Sequence, residues 1–159
     1  MPRGQVEAVA VPDEHATEHT WPVRQDDDYR RGRHVVSALS VQLVFVTKYR
    51  RGVLTDEHLD TVREVFAKLC ADFGATLVEM DGDDDHVHLL VTYPPQVAVA
   101  RLVNALKGVS ACHLRARYWV RTHREHLWSP SYFAASAGGA PLETLKQYIR
   151  QQRTPGRPG

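Results

Sequence analysis

Between residues 35 and 136, segments with the apolar pattern of a strand and segments with that of a helix follow one another. Their order limits the possible fold more than any other feature of this sequence. Four short segments have the composition of strands, with clear alternation of apolar residues in the first and third, and two longer segments have apolar residues at helical spacing. The segments follow one another as β-α-β-β-α-β. That order predicts an α+β, ferredoxin-like fold, in which two helices cover one face of an antiparallel sheet. The first and third strands of this topology lie in the middle of the sheet.

The bounds of the elements follow from the apolar patterns and from the residues that interrupt them. Thr55 is a candidate N-cap for the first helix, and Gly74 is a suitable stop. The positions expected to face the core from the first strand are Val35, Leu39, Val41, Leu43 and Phe45. The strands are predicted at 35–48, 75–81, 86–93 and 131–136, the second helix at 97–118, a turn at 81–85, and an additional last helix from Pro141.

Composition sets the domain limits and the cellular setting. Residues 1–33 hold seven acidic and five basic residues without a sustained period, so we predict a disordered or loosely attached arm. One ordered domain is expected over 34–153, and a flexible tail over 154–159. No apolar run approaches the ~18 residues of a membrane span, and the start does not resemble a signal peptide. Cys70 and Cys112 lack metal-site spacing, which favours reduced thiols in a cytoplasm. No membrane partner is expected, because no apolar run is long enough.

The sequence His-Val-His begins the third predicted strand. His86 and His88 are two residues apart, so both side chains project from the same face of a strand. Two imidazoles placed in this way can occupy neighbouring positions on one divalent ion. Asp85 directly precedes the pair and could orient one of the histidines. The alternative is that both histidines are merely solvated, since this spacing by itself is a weak signal.

The last predicted helix carries a second candidate pair. Tyr148 and Gln152 are four residues apart and therefore lie one above the other at the edge of its apolar stripe. The amide oxygen of Gln152 suits a hard cation such as Mg²⁺ or Mn²⁺, and the Tyr148 hydroxyl could act as a nucleophile on a phosphate that such a cation polarises. The alternative for Tyr148 is a simple packing role.

With these elements in place, the chain resembles the single-tyrosine HUH transposases of the insertion sequence 200/605 group. The likeness combines a His-hydrophobic-His element with a Tyr-x-x-x-Gln element in family order. The arm and the residues Ser40 and Gln42, where the family often has a nearby histidine, depart from the pattern. The stretches that carry the likeness are 43–54, 85–95, 102–115 and 127–152.

The resemblance implies a function and a set of roles. His86, His88 and Gln152 would bind the divalent metal, and Tyr148 would attack single-stranded DNA to give a 5′-phosphotyrosine link and a free 3′-OH. The substrates would be transposon ends that carry hairpins. The protein would be a homodimer whose first strands pair and whose active sites form in trans. An exposed-edge character of residues 35–48 and a joint at Gly138-Gly139 are compatible with that assembly.

Two other functions remain open on the sequence alone. One is a domesticated relative that uses the same chemistry on repeated chromosomal hairpins. The other is a non-catalytic ferredoxin-like module that binds nucleic acid or a metal. Candidate DNA contacts, with a solvated charged rim as the equal alternative, are Lys48, Tyr49, Arg50, Arg51 and Lys107.

Overall fold

A computed structural model of the chain describes residues 29–118, 126–137 and 146–147. Within these residues the order from the third strand to the sixth is β-α-β-β-α-β, which confirms the predicted ferredoxin-like topology. The elements are β1 (Arg30–Arg31), β2 (Val36–Ser37), β3 (Ser40–Val46), α1 (Asp56–Asp72), β4 (Thr76–Gly82), β5 (His86–Thr92), α2 (Val99–Tyr118) and β6 (Phe133–Ser136).

The main sheet has four antiparallel strands in the order β4-β5-β3-β6. The first and third strands of the predicted topology, β3 and β5, are therefore central, as expected. Because β3 is hydrogen-bonded to β5 on one side and to β6 on the other, the interpretation of residues 35–48 as an exposed edge is wrong for Ser40–Val46. β3 therefore has no free edge through which two copies of the chain could pair.

Both helices pack against one face of the sheet and form the core with it. Helix α1 begins after Thr55, whose hydroxyl accepts from the backbone N–H of His58, while the His58 ring accepts from the Thr55 backbone N–H. The chain leaves this helix through Gly74 at φ 74°, a left-handed conformation that glycine adopts without steric cost. Core side chains with no exposed surface include Leu43, Phe45, Val62, Phe66, Val87, Leu89, Leu102 and Leu106.

The first predicted strand is shorter than the sequence pattern indicated. Val35 and Leu39 were expected to face the core but are 44% and 39% exposed. The reason is that β2 leaves the main sheet and pairs with β1, so only the positions from Val41 onward are covered by the helices. Residues 29–33, which the sequence assigned to the arm, lie in the described part of the chain.

One side chain connects this β1–β2 pair to the domain. The guanidinium of Arg30 donates to the carbonyl oxygen of Gly74 at 2.7 Å and to the hydroxyl and carbonyl oxygens of Thr92. Residues 1–28 and the predicted helix that begins at Pro141 lie outside the described residues, apart from 146–147. No helix in the described ranges is long and apolar enough to cross a membrane.

Candidate active site

His86 and His88 lie on β5 and face away from the two helices. Between and beyond them, Val87 and Leu89 point to the opposite side and are fully buried in the core. The strand is hydrogen-bonded on both sides, with His86 opposite Val46 and His88 opposite Val44. The two imidazole rings are 5.0 Å apart at their centroids and nearly perpendicular, at 89°. A rigid central strand thus brings the two predicted histidines together.

Asp85 fixes the orientation of His86. Its Oδ1 atom lies 2.7 Å from Nδ1 of His86, and its other carboxylate oxygen lies 3.4 Å from Nε of Arg50. The Asp85 backbone carbonyl accepts from both the N–H and the hydroxyl of Thr47. When Nδ1–H of a neutral imidazole donates to a carboxylate, Nε2 keeps the lone pair that a metal needs. The contact therefore supports the orienting role predicted for Asp85.

The surroundings of His88 favour the neutral form of its ring. Burial, and then the neighbouring His86, lower the pKa of His88, while the charge of Asp81 opposes that shift. Nδ1 of His88 is buried and has no hydrogen-bond partner within the described ranges. A buried imidazole that is neutral near pH 7 can offer a lone pair to a cation.

Asp81 was not predicted as part of this site, because the sequence pattern placed it at the boundary between the second strand and the turn. In the structure it belongs to β4 and lies directly opposite His88. The connection between the strands is consequently shorter than the predicted 81–85, and Asp83 N–H donates to the His86 carbonyl across it. Counting residue pairs back from a tighter hairpin would have placed Asp81 beside His88.

The spacing of the two histidines fits a shared divalent cation. A ring centroid lies about 3.2 Å from a metal bound at a distance of about 2.1 Å. Two such rings with centroids 5.0 Å apart would subtend about 100° at the metal, between the octahedral and tetrahedral angles. No third His, Cys, Asp or Glu completes a ligand cluster among the residues that the structure describes. Gln152, the predicted third ligand, and Tyr148, the predicted nucleophile, lie outside those residues.

Four of the predicted DNA contacts lie at the end of β3, next to Asp85. Lys48–Arg50 forms a single 3-10 turn in which Tyr49 and Arg50 have φ values of 58° and 51°. These are unusual conformations for residues other than glycine. The Tyr49 side chain is 68% exposed, and Arg51 is also exposed. Their position beside the histidines is compatible with a role in holding DNA, which stays a prediction.

Lys107 lies on α2, on the helical side of the sheet. Its ammonium group donates to the backbone carbonyls of Ser129 and Ser131, and it lies 5.7 Å from the centroid of the Tyr132 ring. Partial burial lowers the pKa of Lys107. This lysine therefore stabilises the segment after α2, and it is separated from the histidine face by the sheet.

Comparison with known proteins gives concordant matches. A family described as "Transposase IS200 like" matches residues 35–152. ISDra2 transposase TnpA from Deinococcus radiodurans is 31% identical over 128 residues, which cover 79% of this chain and 91% of that protein. The transposase for insertion sequence element IS200 from Salmonella typhimurium is 26% identical over 113 residues, covering 69% of this chain and 74% of the relative.

Two solved structures have the same fold. A crystal structure of a protein from Deinococcus radiodurans that was assigned as a transposase matches with a TM-score of 0.62 and 32% identity, over 77% of this chain and 97% of that one. The structure of a REP-associated tyrosine transposase bound to a REP hairpin matches with a TM-score of 0.52 and 12% identity, over 76% and 67% of the two chains. At that identity the second match supports the fold alone.

Proposed function

Because the chain belongs to the IS200-like transposase family, we propose that it cuts and rejoins single-stranded DNA at transposon ends through a covalent 5′-phosphotyrosine intermediate. Membership of the family establishes a transposase, and therefore an enzyme that cleaves DNA. Tyr148 is the proposed nucleophile. His86, His88 and Gln152 are the proposed ligands of Mg²⁺ or Mn²⁺.

The observation that carries the proposal is the pair of imidazoles on β5. They lie 5.0 Å apart on a strand with neighbours on both sides, and the buried carboxylate of Asp85 holds one of them. A ferredoxin-like module that only binds nucleic acid has no need for two histidines in this arrangement. Rigid placement of ligands is what metal-assisted phosphoryl transfer requires.

The proposed reaction is a transesterification. The phenolic oxygen of Tyr148 forms a bond to the phosphorus atom as the bond to the 3′ oxygen breaks. The phenol loses its proton, and the departing 3′ oxygen gains one, so that a 3′-OH is released. A divalent cation at this site would polarise the phosphate and stabilise the charge that develops on its oxygens. Attack of a new 3′-OH on the phosphotyrosine reverses the step without ATP.

Partners follow from the same family assignment. We propose that the substrates carry DNA hairpins near the transposon ends, and that the enzyme works in the cytoplasm, where chromosomal DNA is accessible in bacteria. We also propose a homodimer with active sites formed in trans. Since β3 has strands on both sides, a dimer of this chain would join through another surface than β3.

Capture of a covalent adduct tests the proposal. Purified protein is incubated with 3′-labelled single-stranded DNA from both flanks of its own gene, with Mg²⁺ or with EDTA, and resolved on a denaturing gel. We expect a metal-dependent shifted band with single strands and none with duplex DNA. Tyr148→Phe should remove the band and leave DNA binding intact.

Tyr132→Phe provides the matched control, because it deletes a phenolic hydroxyl from a partly exposed tyrosine elsewhere in the fold. This variant should form the adduct at the wild-type rate. An adduct in Tyr148→Phe would show that another residue is the nucleophile. An undiminished adduct in His86→Ala, with the metal requirement unchanged, would remove the proposed metal site.

A further inference from the structure

Asp81 lies beside the histidine pair, on the neighbouring strand β4. It is directly opposite His88 in the pairing of β4 with β5. Residues that are opposite one another in an antiparallel pair share a face of the sheet, with Cβ atoms about 5 Å apart. Met80, the residue before Asp81, points into the core and is 3% exposed. Asp81 therefore faces the same side of the sheet as the two imidazoles.

The carboxylate of Asp81 has a defined position. Its Oδ1 atom accepts a hydrogen bond from the backbone N–H of Gly82 at 2.8 Å, and the residue is partly buried. The two strands approach closely at this point, because a Cβ atom added to Gly82 would lie 2.7 Å from the carbonyl oxygen of His86. A carboxylate fixed to such a tight hairpin stays close to the histidines.

Asp81 interacts with His88 through its charge rather than through the ring atom Nδ1. Burial lowers the pKa of His88 most, His86 adds to the lowering, and the negative charge of Asp81 opposes both. Nδ1 of His88, however, is buried without a hydrogen-bond partner among the described residues. Asp85 differs, since its Oδ1 atom lies 2.7 Å from Nδ1 of His86. Asp81 therefore does not orient His88 in the way that Asp85 orients His86, and its place beside the pair calls for another explanation.

A hard divalent cation bound by the two histidines would give this carboxylate a partner. Mg²⁺ is octahedral and keeps several water ligands when it binds to proteins. The three proposed ligands, His86, His88 and Gln152, leave the other positions to water or to phosphate oxygens. A cation polarises its water ligands, so they donate strong hydrogen bonds to an ionised carboxylate. Since no third His, Cys, Asp or Glu completes a direct ligand cluster in the described ranges, a carboxylate on β4 would reach the cation through water.

We propose that Asp81 accepts a hydrogen bond from a water ligand of the cation that His86 and His88 hold, and that it thereby strengthens binding of the hydrated ion. The proposal rests on the proposed function for the presence of that cation. It gives the two carboxylates beside the histidines different tasks. Asp85 holds an imidazole ring in place, and Asp81 holds water on the cation.

Binding of Mn²⁺ to Asp81→Asn tests the proposal in the absence of DNA. Asparagine has nearly the volume of aspartate and keeps an oxygen that can accept from the Gly82 N–H, so the fold should be preserved. The water ligand would donate to a neutral acceptor in place of a charged one, and charge-assisted hydrogen bonds are about twice as strong as neutral ones. We expect the dissociation constant for Mn²⁺, measured from the free-ion electron paramagnetic resonance signal, to rise about three- to tenfold.

The number of water ligands distinguishes a contact through water from direct ligation. Water enriched in ¹⁷O broadens the resonance lines of bound Mn²⁺ in proportion to the number of its water ligands. At saturating Mn²⁺ this number should be the same in the wild type and in Asp81→Asn. A gain of one water ligand in the variant would show that Asp81 is itself a ligand, and it would overturn the proposal.

Glu79→Gln is the matched control for charge. Glu79 lies on the same strand and face, two residues from Asp81 and opposite Leu90, so the substitution removes one negative charge beside a residue that is not a ligand. At physiological salt it should change the dissociation constant for Mn²⁺ by less than about twofold. An Asp81→Asn effect of that small size, or an equal effect of the two substitutions, would contradict the role of Asp81.

His86→Ala, measured in the same assay, separates this proposal from the proposed function. Absence of Mn²⁺ binding to the wild type, or binding that His86→Ala leaves unchanged, refutes the proposed metal site. Binding that His86→Ala weakens and Asp81→Asn does not weaken refutes the role of Asp81 alone and leaves the proposed nuclease intact.

Discussion

Replacement of Asp85 by asparagine should weaken metal binding about tenfold without unfolding the domain. The Asp85 side chain is buried, with a relative exposure of 3% for the residue, and asparagine keeps its volume. The contact of 2.7 Å to Nδ1 of His86 would change from a hydrogen bond with a charged acceptor to one with a neutral acceptor. A hydrogen bond to a charged acceptor contributes about 1.5–3 kcal/mol, and one to a neutral acceptor about 0.5–1.5 kcal/mol. The substitution therefore removes about 1–1.5 kcal/mol of the interaction that orients His86. A difference of about 1.4 kcal/mol is tenfold in affinity.

The assay is titration of the metal-free protein with Mn²⁺, followed by the loss of the free-ion electron paramagnetic resonance signal, in the absence of DNA. Asp83→Asn is the matched control, since it removes the same charge from an exposed residue two positions away. Arg50→Gln should cost less than about fivefold, because the Arg50 side chain is 67% exposed and exposed ion pairs contribute at most about 1 kcal/mol. If Asp85→Asn binds Mn²⁺ within twofold of the wild type, or if Asp83→Asn is equally impaired, Asp85 does not orient a metal ligand.

Three further predictions concern reactivity and stability. Burial raises the pKa of Cys70 to about 11, whereas Cys112 is exposed. Ellman's reagent at pH 8 should therefore titrate one thiol in the native protein and two in guanidinium chloride. Two fast-reacting thiols in the native protein would contradict this. Replacement of Thr55 by alanine removes a hydroxyl that caps α1 and should lower the free energy of unfolding by about 1 kcal/mol in urea titrations, and an unchanged midpoint would show that the cap contributes nothing. The fold lowers the pKa of His88, so the folded state binds a proton at this ring less readily than the unfolded state does. The free energy of unfolding should therefore fall as the pH drops below the unfolded pKa of about 6.5, until the lowered pKa is passed. Metal-free His88→Gln should therefore lose less stability between pH 7.5 and pH 5 than the wild type, and an equal loss would refute the argument.

The sequence specified most of the central architecture because each element there has a strong local signal. The alternation in β3 and β5, the helical stripes, the Thr55 cap and the Gly74 stop all depend on neighbours within a few positions. The pairing of His86 with His88 follows for the same reason, since two residues of one strand share a face without any knowledge of the tertiary structure.

Features that depend on pairing between distant segments were not accessible in this way. Val35 and Leu39 continue the apolar alternation, but their exposure is decided by which strand the preceding segment joins. Asp81 faces His88 only because the hairpin register places it there. The roles of Tyr148 and Gln152 stay predictions from the resemblance.

The two faces of β5 carry residues with different tasks, and this has a consequence for how transposable elements of this family change over generations. Val87 and Leu89 hold the domain together, whereas His86 and His88 on the other side take no part in the core. Under the proposed function, a single substitution at either histidine would therefore leave a folded protein that binds the ends of its mobile element without cutting them. Such a copy would occupy the sites that an active copy needs. Loss of one side chain is thus a short mutational route from a mobile element to an inhibitor of its own relatives.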